Sequence, residues 1–591
     1  MGLERLFPRH TPYLAGPLKL IPLPSICNKK LAMQAKYVAT LILAMSVSLA
    51  WGQMNVPENW FHLGPQEGYP GLNTISLYQD LLKEKEGETV VVAVIDSGID
   101  YLHEDLDEVM WVNEDEIPDN GIDDDNNGYV DDIHGWNFLG GTDGKNVDYE
   151  TLEVTRLYRR YSDMFEDADP ETLSKKERQM YDRWLVYKEE VDSHRTEENE
   201  QNAAFYGGLL QAMKSLKQEI GKEEVTMEDL QSFESDNQML VQAAKAAASL
   251  LPQMGSYEAL LSDLEGAYDY FYGQYHYHYN PDFNPRSIVG DDPEDLDQRR
   301  YGNNDYEGPD ARHGTHVAGI IGAERNNDIG IRGVANNVRI MTVRAVPDGD
   351  ERDKDVLNAI YYAVDNGAAI VNMSFGKGYS PSKVAVDKAV KYARKHDVLL
   401  VHAAGNDGSE NDNFNNYPND RYMKKGLFGP RYADNWIEVG AVDWHGGDKM
   451  AASFSNYSSE NVDVFAPGLD IYSTVPDDQY ESLPGTSMAA PMVSGVAALL
   501  RSYFPDLTAE QVKNIILSSV RKHDERVTLP GSDDKIAFSR LALSGGVVDA
   551  KKAVELALET RGKNRKAGRY LGPYTKAPKG SKKESGEQAR P

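Results

Sequence analysis

The chain is predicted to be an α/β protein with a mostly parallel central sheet, because apolar runs and helical patterns alternate along it. The apolar runs lie at 89–96, 338–346, 368–376 and 397–406. Such continuous runs are typical of strands that are buried on both faces of a parallel sheet. The helical patterns between them include "DKDVLNAIYYAVDNG" and "SKVAVDKAVKYARKH". Strands that alternate with helices indicate βαβ units.

Length, charge and cysteine content exclude several classes of protein. A chain of 591 residues is several times the usual domain length, so more than one structural unit is expected. The formal net charge of −32 argues against a nucleic-acid partner, since phosphate groups are bound by basic surfaces. The single cysteine, Cys27, excludes a disulfide framework.

Residues 33–53 have the three parts of a secretory signal peptide. Lys36 supplies the positive charge, 37–50 form the apolar segment, and small residues follow at a cleavage site. A membrane anchor is the alternative, but the apolar run is short for a bilayer span, and no other stretch could span one. Residues 1–52 are therefore predicted to be a leader, with translation starting at Met33. The mature protein is expected to be exported, that is secreted, periplasmic or at the cell surface.

The segment 143–286 is predicted to be an all-helical insertion. It is rich in Glu, Lys, Gln, Leu and Tyr, and apolar residues within 205–220 recur every three or four positions, which places them on one helix face. We expect four or five helices packed as a bundle or hairpin array. The last part, "YDYFYGQYHYHYNPDF", is expected to pack on the parent domain rather than to hold a metal.

The remaining boundaries follow from composition. Residues 53–142 and 287–558 carry the α/β pattern and are predicted to form one domain around the insertion. Residues 559–591 are rich in Lys and Arg as well as Gly, Pro and Ser, so a disordered basic tail is expected.

Three short motifs place chemically active side chains at strand or helix ends. Asp96 ends an apolar run in "VIDSGID", His313 stands at a helix start in "DARHGTHVAG", and Ser487 opens an apolar helix in "LPGTSMAAPMVSGVAALL". Ligands of α/β sheets bind beyond the carboxyl ends of the strands, where these three would meet. A neutral imidazole can take the proton of a serine hydroxyl near pH 7, and a carboxylate can orient that imidazole. The motifs therefore favour nucleophilic catalysis by serine.

Together, "DSGID", "HGTHVAG" and "GTSMAAP" resemble the motifs of the subtilase family of serine peptidases, over roughly 75–142 and 287–558. The resemblance implies a subtilisin-like three-layer fold and a serine endopeptidase acting on protein or peptide substrates. In it, Asp96 would orient the base, His313 would be the general base and Ser487 the nucleophile. The order Asp, His, Ser along the chain is the one known for subtilisin.

The same resemblance implies which residues hold the substrate. "HAAGNDG" matches the family's oxyanion segment, so Asn406 would donate its side-chain amide to the tetrahedral oxyanion. The residues implied in substrate binding are Ser374, Phe375, Gly376, Ala404, Gly405 and Asn416. Asn416 stands where the family usually has glycine, so a deep apolar specificity pocket is not expected. His316 matches a second histidine of the family and is expected to be structural.

The acidic segment "PDGDERDKD" at 347–355 corresponds to the family's other substrate-flanking segment. One hypothesis is that its acids favour basic residues upstream of the scissile bond, and the alternative is a solvated loop. The insertion likewise has two interpretations: it gates the cleft or restricts substrates, or it only binds a partner or spaces the chain. The stretch before Asp96 is too short for an N-terminal inhibitory propeptide. An alternative function for the scaffold is a catalytically silent, calcium-dependent binding module.

The run "DDDNNGYVDD" at 123–132 has the spacing of a calcium loop of EF-hand type, although His134 replaces the glutamate of the twelfth position. The predicted ligands are Asp123, Asp125, Asn127, Asp131 and Asp132. A solvated charge run is the alternative. The family resemblance implies a second calcium site at Asp105 with Asn326 or Asn327. At both sites Ca²⁺ would be structural.

Overall fold

The computed structural model describes residues 56–83, 85–411, 416–424 and 429–563. The predicted signal peptide, Cys27 and most of the basic tail lie outside the described residues. The described residues from 57 onward belong to one compact unit. None of the described helices is long and apolar enough to cross a membrane.

Thirteen strands are found among the described residues. Along the chain they are β1 (Val90–Asp96), β2 (Gly135–Asn137), β3 (Val338–Arg344), β4 (Ile370–Met373), β5 (Leu399–Ala403), β6 (Trp436–Val442), β7 (Val464–Pro467), β8 (Ile471–Val475), β9 (Gln479–Leu483), β10 (Arg521–Lys522), β11 (Arg526–Thr528), β12 (Lys535–Ala537) and β13 (Gly546–Val547). Nine of them form the central sheet in the order β10-β13-β7-β6-β5-β4-β1-β3-β2. Every neighbouring pair in it is parallel except β10 with β13. The predicted mostly parallel sheet is confirmed.

The four apolar runs of the sequence are the four central strands β1, β3, β4 and β5. All seven residues of β1 are buried, since this strand pairs with β3 on one edge and with β4 on the other. Successive side chains of a strand point to opposite faces of the sheet. The hydrophobic run is therefore explained by helices that cover both faces.

Thirteen α-helices are found among the described residues. They are α1 (Thr74–Asp80), α2 (Glu153–Phe165), α3 (Lys175–His194), α4 (Glu197–Ile220), α5 (Met227–Ser232), α6 (Gln238–Met254), α7 (Tyr257–Gly273), α8 (Arg312–Gly322), α9 (Asp353–Asp365), α10 (Lys383–Lys395), α11 (Thr486–Tyr503), α12 (Ala509–Ser518) and α13 (Ala550–Glu559). On one face of the sheet, α9 and α10 pack on Ala93 and Ile95. Helices α8 and α11 pack on each other and on the sheet, and α11 is buried almost all round.

The segment 143–286, which is predicted to be an insertion, contains six α-helices, α2 to α7, rather than the four or five expected. The additional helix is α5, which is six residues long and begins with a capping box between Thr226 and Asp229. A helix of that length is too short to show a periodic apolar pattern. Helices α4 to α7 share one apolar core that includes Met213 and Leu216. A smaller core of Val154, Val191 and Tyr279 joins α2 and α3 to the end of the insertion.

The tyrosine- and histidine-rich end of the insertion contacts the parent domain. It forms a π-helical turn, Gln274–His278. The ring of Tyr277 stacks on Tyr149 at 4.2 Å between centroids, and His278 Nε2 lies 3.1 Å from Asp348 Oδ1. The insertion is thus tied to the acidic segment at 347–355.

Candidate active site

Asp96 and His313 are joined by a hydrogen bond at the carboxyl end of β1. Asp96 is the last residue of that strand, and His313 lies in the first turn of α8. His313 Nδ1 lies 2.6 Å from Asp96 Oδ1, and Asp96 is 2% exposed. A Cβ on Gly314 would lie 2.0 Å from the carbonyl oxygen of Gly98, so glycine at 314 is what lets the helix start approach the strand end.

The carboxylate of Asp96 changes the titration of His313. Burial alone would lower the pKa of His313, but the charge and hydrogen bond of Asp96 outweigh it, and the pKa lies above its ordinary value. By contrast, burial lowers the pKa of His316 to about 3, and its Nε2 lies 3.1 Å from the carbonyl oxygen of Glu481. His316 is therefore a neutral residue of the core, which agrees with the structural role expected for it.

Ser487 is the second residue of α11. Its Oγ donates to the carbonyl oxygen of Ser374 at 3.1 Å, and Ser374 Oγ donates back to the carbonyl oxygen of Ser487 at 2.9 Å. Ser374 also lines a pocket of about 270 Å³ together with Asp96 and His313. Ser487 lines one pocket and His313 lines another, and Ser374 lines both. No hydrogen bond joins Ser487 to His313. Catalytic hydrogen bonds of this kind are often formed only in the complex with substrate.

Among the residues that the structure describes, none accepts a hydrogen bond from the amide nitrogen of Asn406. Its Oδ1 accepts hydrogen bonds from the backbone N–H and from Oγ1 of Thr486, both at 2.9 Å. Asn406 lines the same cleft as Ser487. Because Thr486 holds the oxygen, Nδ2 is the atom of this amide that is left to donate in the cleft. Sequence reasoning did not single out Thr486.

The cleft beside Ser487 has a volume of about 620 Å³. Five of the six residues expected to bind substrate line it, and they are Ser374, Phe375, Gly376, Gly405 and Asn416. The prediction for Ala404 is corrected by the structure, in which Ala403 lines the cleft instead. Ala404 is fully buried, and its N–H donates to the carbonyl oxygen of Val439.

Comparison with known proteins identifies the family. The model of the subtilase family, Peptidase_S8, matches residues 87–537, which include the Asp, His, Asn and Ser positions described above. The chain belongs to the subtilase family, the subtilisin-like serine proteases.

Three bacterial subtilases illustrate the similarity. The thermophilic serine proteinase of Bacillus sp. (strain AK1) is 42% identical over 225 residues, 38% of this chain and 49% of that protein. Subtilisin DY of Bacillus licheniformis is 41% identical over 35% of this chain and 69% of its own length. Thermitase of Thermoactinomyces vulgaris is 37% identical over 41% of this chain and 75% of its own length. The match thus spans about half of the first of these relatives.

The subtilase cleft has a polar end at Asn416. The amide nitrogen of Asn416 donates to the carbonyl oxygen of Ala403 at 3.0 Å and to Glu438 Oε1 at 3.2 Å. A Cβ on Gly376 would lie 2.3 Å from Asn416 Oδ1, so the asparagine packs directly on that glycine. Glu438 is 5% exposed and lies next to His402. These contacts make the cleft polar at the position of Asn416.

Most acids of the segment 347–355 are not free to meet a substrate. Glu351, Asp353 and Asp355 are buried. Asp353 lies 3.0 Å from Lys377 Nζ, and Asp355 accepts two hydrogen bonds from the guanidinium of Arg286. The hypothesis that all five acids select basic substrates is therefore wrong for these three, because all three are buried and ion pairs inside the fold hold Asp353 and Asp355. Of the other two acids, Asp348 lines the pocket beside His313 and Asp350 lines the cleft beside Ser487.

The acidic loop predicted to bind calcium brings three carboxylates together. Oxygen atoms of Glu116, Asp123 and Asp125 lie within 4.8 Å of one another, which is a group that could hold a metal ion. Sequence reasoning missed Glu116, since it precedes the spaced run. The backbone N–H of Asn127 donates to Asp123 and Asp125 at 3.0 and 2.8 Å, which shapes the loop around this group.

The last two predicted ligands of that loop have other partners. Asp131 accepts hydrogen bonds from the backbone N–H groups of Asn120 and Gly121. Asp132 is fully buried and accepts from Asn113, Asn127 and Tyr362. The structure thus uses both carboxylates to hold the loop to its neighbours.

The second predicted calcium position does bring Asp105 and Asn327 together. Asp105 is fully buried. Its Oδ1 accepts from Asn327 Nδ2 at 2.7 Å, and its Oδ2 accepts from the backbone N–H of Ile331 at 2.9 Å. Asn327 thus presents its amide nitrogen to Asp105, while its Oδ1 accepts from the backbone N–H of Ile329.

Proposed function

We propose that the chain hydrolyses peptide bonds through an acyl-enzyme formed on Ser487. The observation that carries this proposal is the 2.6 Å contact between His313 Nδ1 and Asp96 Oδ1, with Ser487 and Asn406 in the adjoining cleft. A carboxylate that accepts from Nδ1 holds the proton there and leaves Nε2 as the base. This is the arrangement required to activate a serine hydroxyl.

The reaction would proceed in two acyl transfers. His313 Nε2 takes the proton of Ser487 as Oγ attacks the carbonyl carbon of the substrate. The oxyanion accepts hydrogen bonds from Asn406 Nδ2 and from the backbone N–H of Ser487, which lies in the first helical turn where N–H groups lack helical partners. His313 then gives its proton to the leaving amine. Water, deprotonated by the same imidazole, hydrolyses the ester and restores the serine.

Hydrolysis of peptides by matched variants tests the proposal. Wild-type protein and Ser459→Ala, a change of an exposed serine, are expected to cleave a mixed peptide library equally. Ser487→Ala is expected to lose at least about 10³-fold in turnover. Equal cleavage by Ser487→Ala would contradict the role of Ser487. No cleavage by any variant would favour the alternative of a silent binding module.

Export and calcium binding complete the proposal. The signal-peptide pattern of 33–53 supports export of the mature chain. The carboxylates of Glu116, Asp123 and Asp125 would hold Ca²⁺ at one site, and Asp105 with Asn327 at the other. Calcium there would fix surface loops of the folded state and take no part in hydrolysis.

The lining of the pocket beside His313 supports a preference for basic residues next to the scissile bond. Besides Asp96, the pocket beside His313 is lined by the carboxylates of Asp148, Asp310 and Asp348, and by one arginine, Arg344. Basic residues just upstream of the scissile bond are the substrates that this charge would favour. Cleavage profiling without enrichment of Lys or Arg at that position would overturn the preference.

A further inference from the structure

A groove lined by tyrosine side chains lies between the helices α2 and α3 and the segment that follows Gly376. Its volume is about 410 Å³, which is in the range of sites that hold a large side chain or a small ligand. Two of its residues lie on α2, two on α3 and two on loops of the parent domain. Four tyrosines and two apolar residues give this tyrosine groove its character, and they are Tyr161, Tyr187, Tyr379, Tyr417, Leu157 and Met180.

The tyrosine groove adjoins the cleft that contains the nucleophile. Gly378 and Tyr379 line both cavities. Tyr417 of the groove directly follows Asn416 of the cleft in the chain. The backbone N–H and carbonyl of Tyr417 also pair with Lys377, both at 3.0 Å, and Lys377 lines the cleft. The two cavities are therefore neighbouring parts of one surface.

The junction between the two cavities is open at Gly378. This residue is exposed, and apart from its chain neighbours no atom of the described residues lies within 4 Å of the position that a Cβ would take there. Ser374 belongs to the same segment and is hydrogen-bonded to Ser487. A polypeptide that follows this segment outward from the nucleophile therefore passes Gly378 before it meets the groove.

The ring of Tyr379 is held in place by two residues of α3. Its hydroxyl donates to Glu190 Oε2 at 2.9 Å, and its ring meets that of Tyr187 edge to face at 5.3 Å between centroids. Tyr161, Tyr187 and Tyr379 all remain half-buried, so part of each side chain is accessible. A site whose aromatic side chains are already ordered loses little conformational entropy when it binds.

The chemistry of the lining favours an aromatic ring as the ligand. Aromatic rings pack edge to face or offset on one another, and the sulfur of a methionine such as Met180 also makes favourable contacts with them. Arg183 of α3 lines the groove, is exposed and forms no ion pair or hydrogen bond with the described residues. Its guanidinium is therefore available to lie over the face of a bound ring. Among the described residues no carboxylate lines the groove, so nothing there attracts a basic side chain.

We propose that the tyrosine groove is a subsite for an aromatic side chain of the substrate, at a position beyond those that lie in the cleft beside Ser487. The occupant is the substrate polypeptide itself, because the groove continues the cleft in which hydrolysis takes place. This inference rests on the proposed function and adds a substrate class to it. The preferred substrates are chains that carry Phe, Tyr or Trp at one position away from the bond that is cut. Tyr187 and Arg183 recognise the ring.

The direct test moves a single phenylalanine along a peptide whose residues at the scissile bond stay unchanged, using wild-type protein. Mass spectrometry identifies the bond that is cut, and kcat/KM is measured for each peptide. We expect one position at which Phe raises kcat/KM about 10- to 100-fold over Ala, with a smaller gain for Leu. Equal kcat/KM at every position, or a larger gain for Asp than for Phe, would overturn the inference and leave the proposed function intact. No cleavage of any peptide would contradict the proposed function and the inference with it.

Variants assign the gain to the tyrosine groove. In Tyr187→Ala the ratio of kcat/KM for the Phe peptide over the Ala peptide is expected to fall about two- to tenfold, the range for losing one contact between rings. Tyr187→Phe keeps the ring and should keep the ratio, while Arg183→Gln should lower it about two- to fivefold. The matched control is Tyr181→Ala on the same helix, since Tyr181 packs on Phe165 and Trp184 and does not line the groove. Each ratio compares two peptides on one protein, so partial loss of active protein does not affect it. A wild-type ratio in both Tyr187→Ala and Arg183→Gln, or an equal fall in Tyr181→Ala, would overturn the inference.

Discussion

His313 Nδ1 lies 2.6 Å from Asp96 Oδ1, although the two residues are 217 positions apart in the chain and the whole helical insertion lies between them. The contact forms because α8 packs on β1, with its first turn at the carboxyl end of that strand. The catalytic geometry thus depends on the parent fold, and the insertion can take a separate role.

Replacing Asp96 by asparagine tests the orienting role of the carboxylate. An asparagine amide would donate to Nδ1 and leave the proton on Nε2, so the imidazole could no longer act as base. We expect Asp96→Asn to lower kcat by about 10⁴, as the same change does in a chymotrypsin-type triad, with little change of KM. Steady-state kinetics on a peptide substrate provide the measurement. Asp107→Asn, on an exposed turn, is the control, and a loss below tenfold in Asp96→Asn would contradict the role.

The raised pKa of His313 predicts how activity depends on pH. Only the neutral imidazole accepts the serine proton, so kcat/KM should rise with pH through the pKa of His313. Because Asp96 raises that pKa, the inflection is expected above the ordinary value of 6.5. In Asp96→Asn the residual activity should show its inflection at lower pH. A pH–rate profile of both proteins checks this, and an inflection below 6.5 in the wild type would speak against it.

Removing the side-chain amide of Asn406 should weaken stabilisation of the oxyanion. We expect Asn406→Ala to lower kcat by about 10²- to 10³-fold with KM nearly unchanged, the loss known from subtilisin itself. Thr486→Val should show part of this effect, since Thr486 Oγ1 donates to Asn406 Oδ1. The kinetic constants of both variants are the readout. A change in KM alone would mean that Asn406 binds substrate without stabilising the transition state.

Asn416 is expected to limit the size of the residue that enters the cleft. Asn416→Gly removes the side chain that packs on Gly376, so larger apolar residues should be accepted at the position before the scissile bond. The ratio of kcat/KM for Phe over Ala substrates should rise about tenfold or more, and Asn416→Ser should fall between the two. A ratio that stays constant across the series would place the specificity elsewhere.

Calcium is expected to stabilise the protein without acting in hydrolysis. A ligand at 100 times its Kd adds about 2.7 kcal/mol to the free energy of unfolding, so chelation should lower the Tm by about 3 °C or more. Asp123→Asn should remove part of this response, while the exposed control Asp119→Asn should keep it. Differential scanning calorimetry with calcium and with a chelator gives the result. An identical Tm under both conditions would rule out both sites.

The parts of the site that follow short sequence motifs were predictable. The end of a strand or helix brings four of these residues to one edge of the sheet, and they are Asp96, His313, Asn406 and Ser487. The apolar runs of the sequence predict that sheet. The residue types and their spacing within each short motif are enough to predict the positions of these site residues.

Contacts across the insertion could not be predicted in the same way. The acids of 347–355 looked like a substrate surface, yet Asp355 is held by Arg286 and Asp353 by Lys377. Glu116 belongs to the group of carboxylates in the acidic loop, and Glu190 lines the cleft beside Ser487, although neither residue is part of a motif. Such side chains meet only through the folded topology, and a charged residue in a sequence does not show which partner it has.

The most direct test of the central claim is labelling by a serine-directed fluorophosphonate, located by mass spectrometry of peptides. The native fold is predicted to give one adduct, on Ser487, that is lost in His313→Ala because the hydroxyl then has no base. Absence of any adduct, or labelling of Ser487 that is unaffected by the loss of His313, would contradict the account.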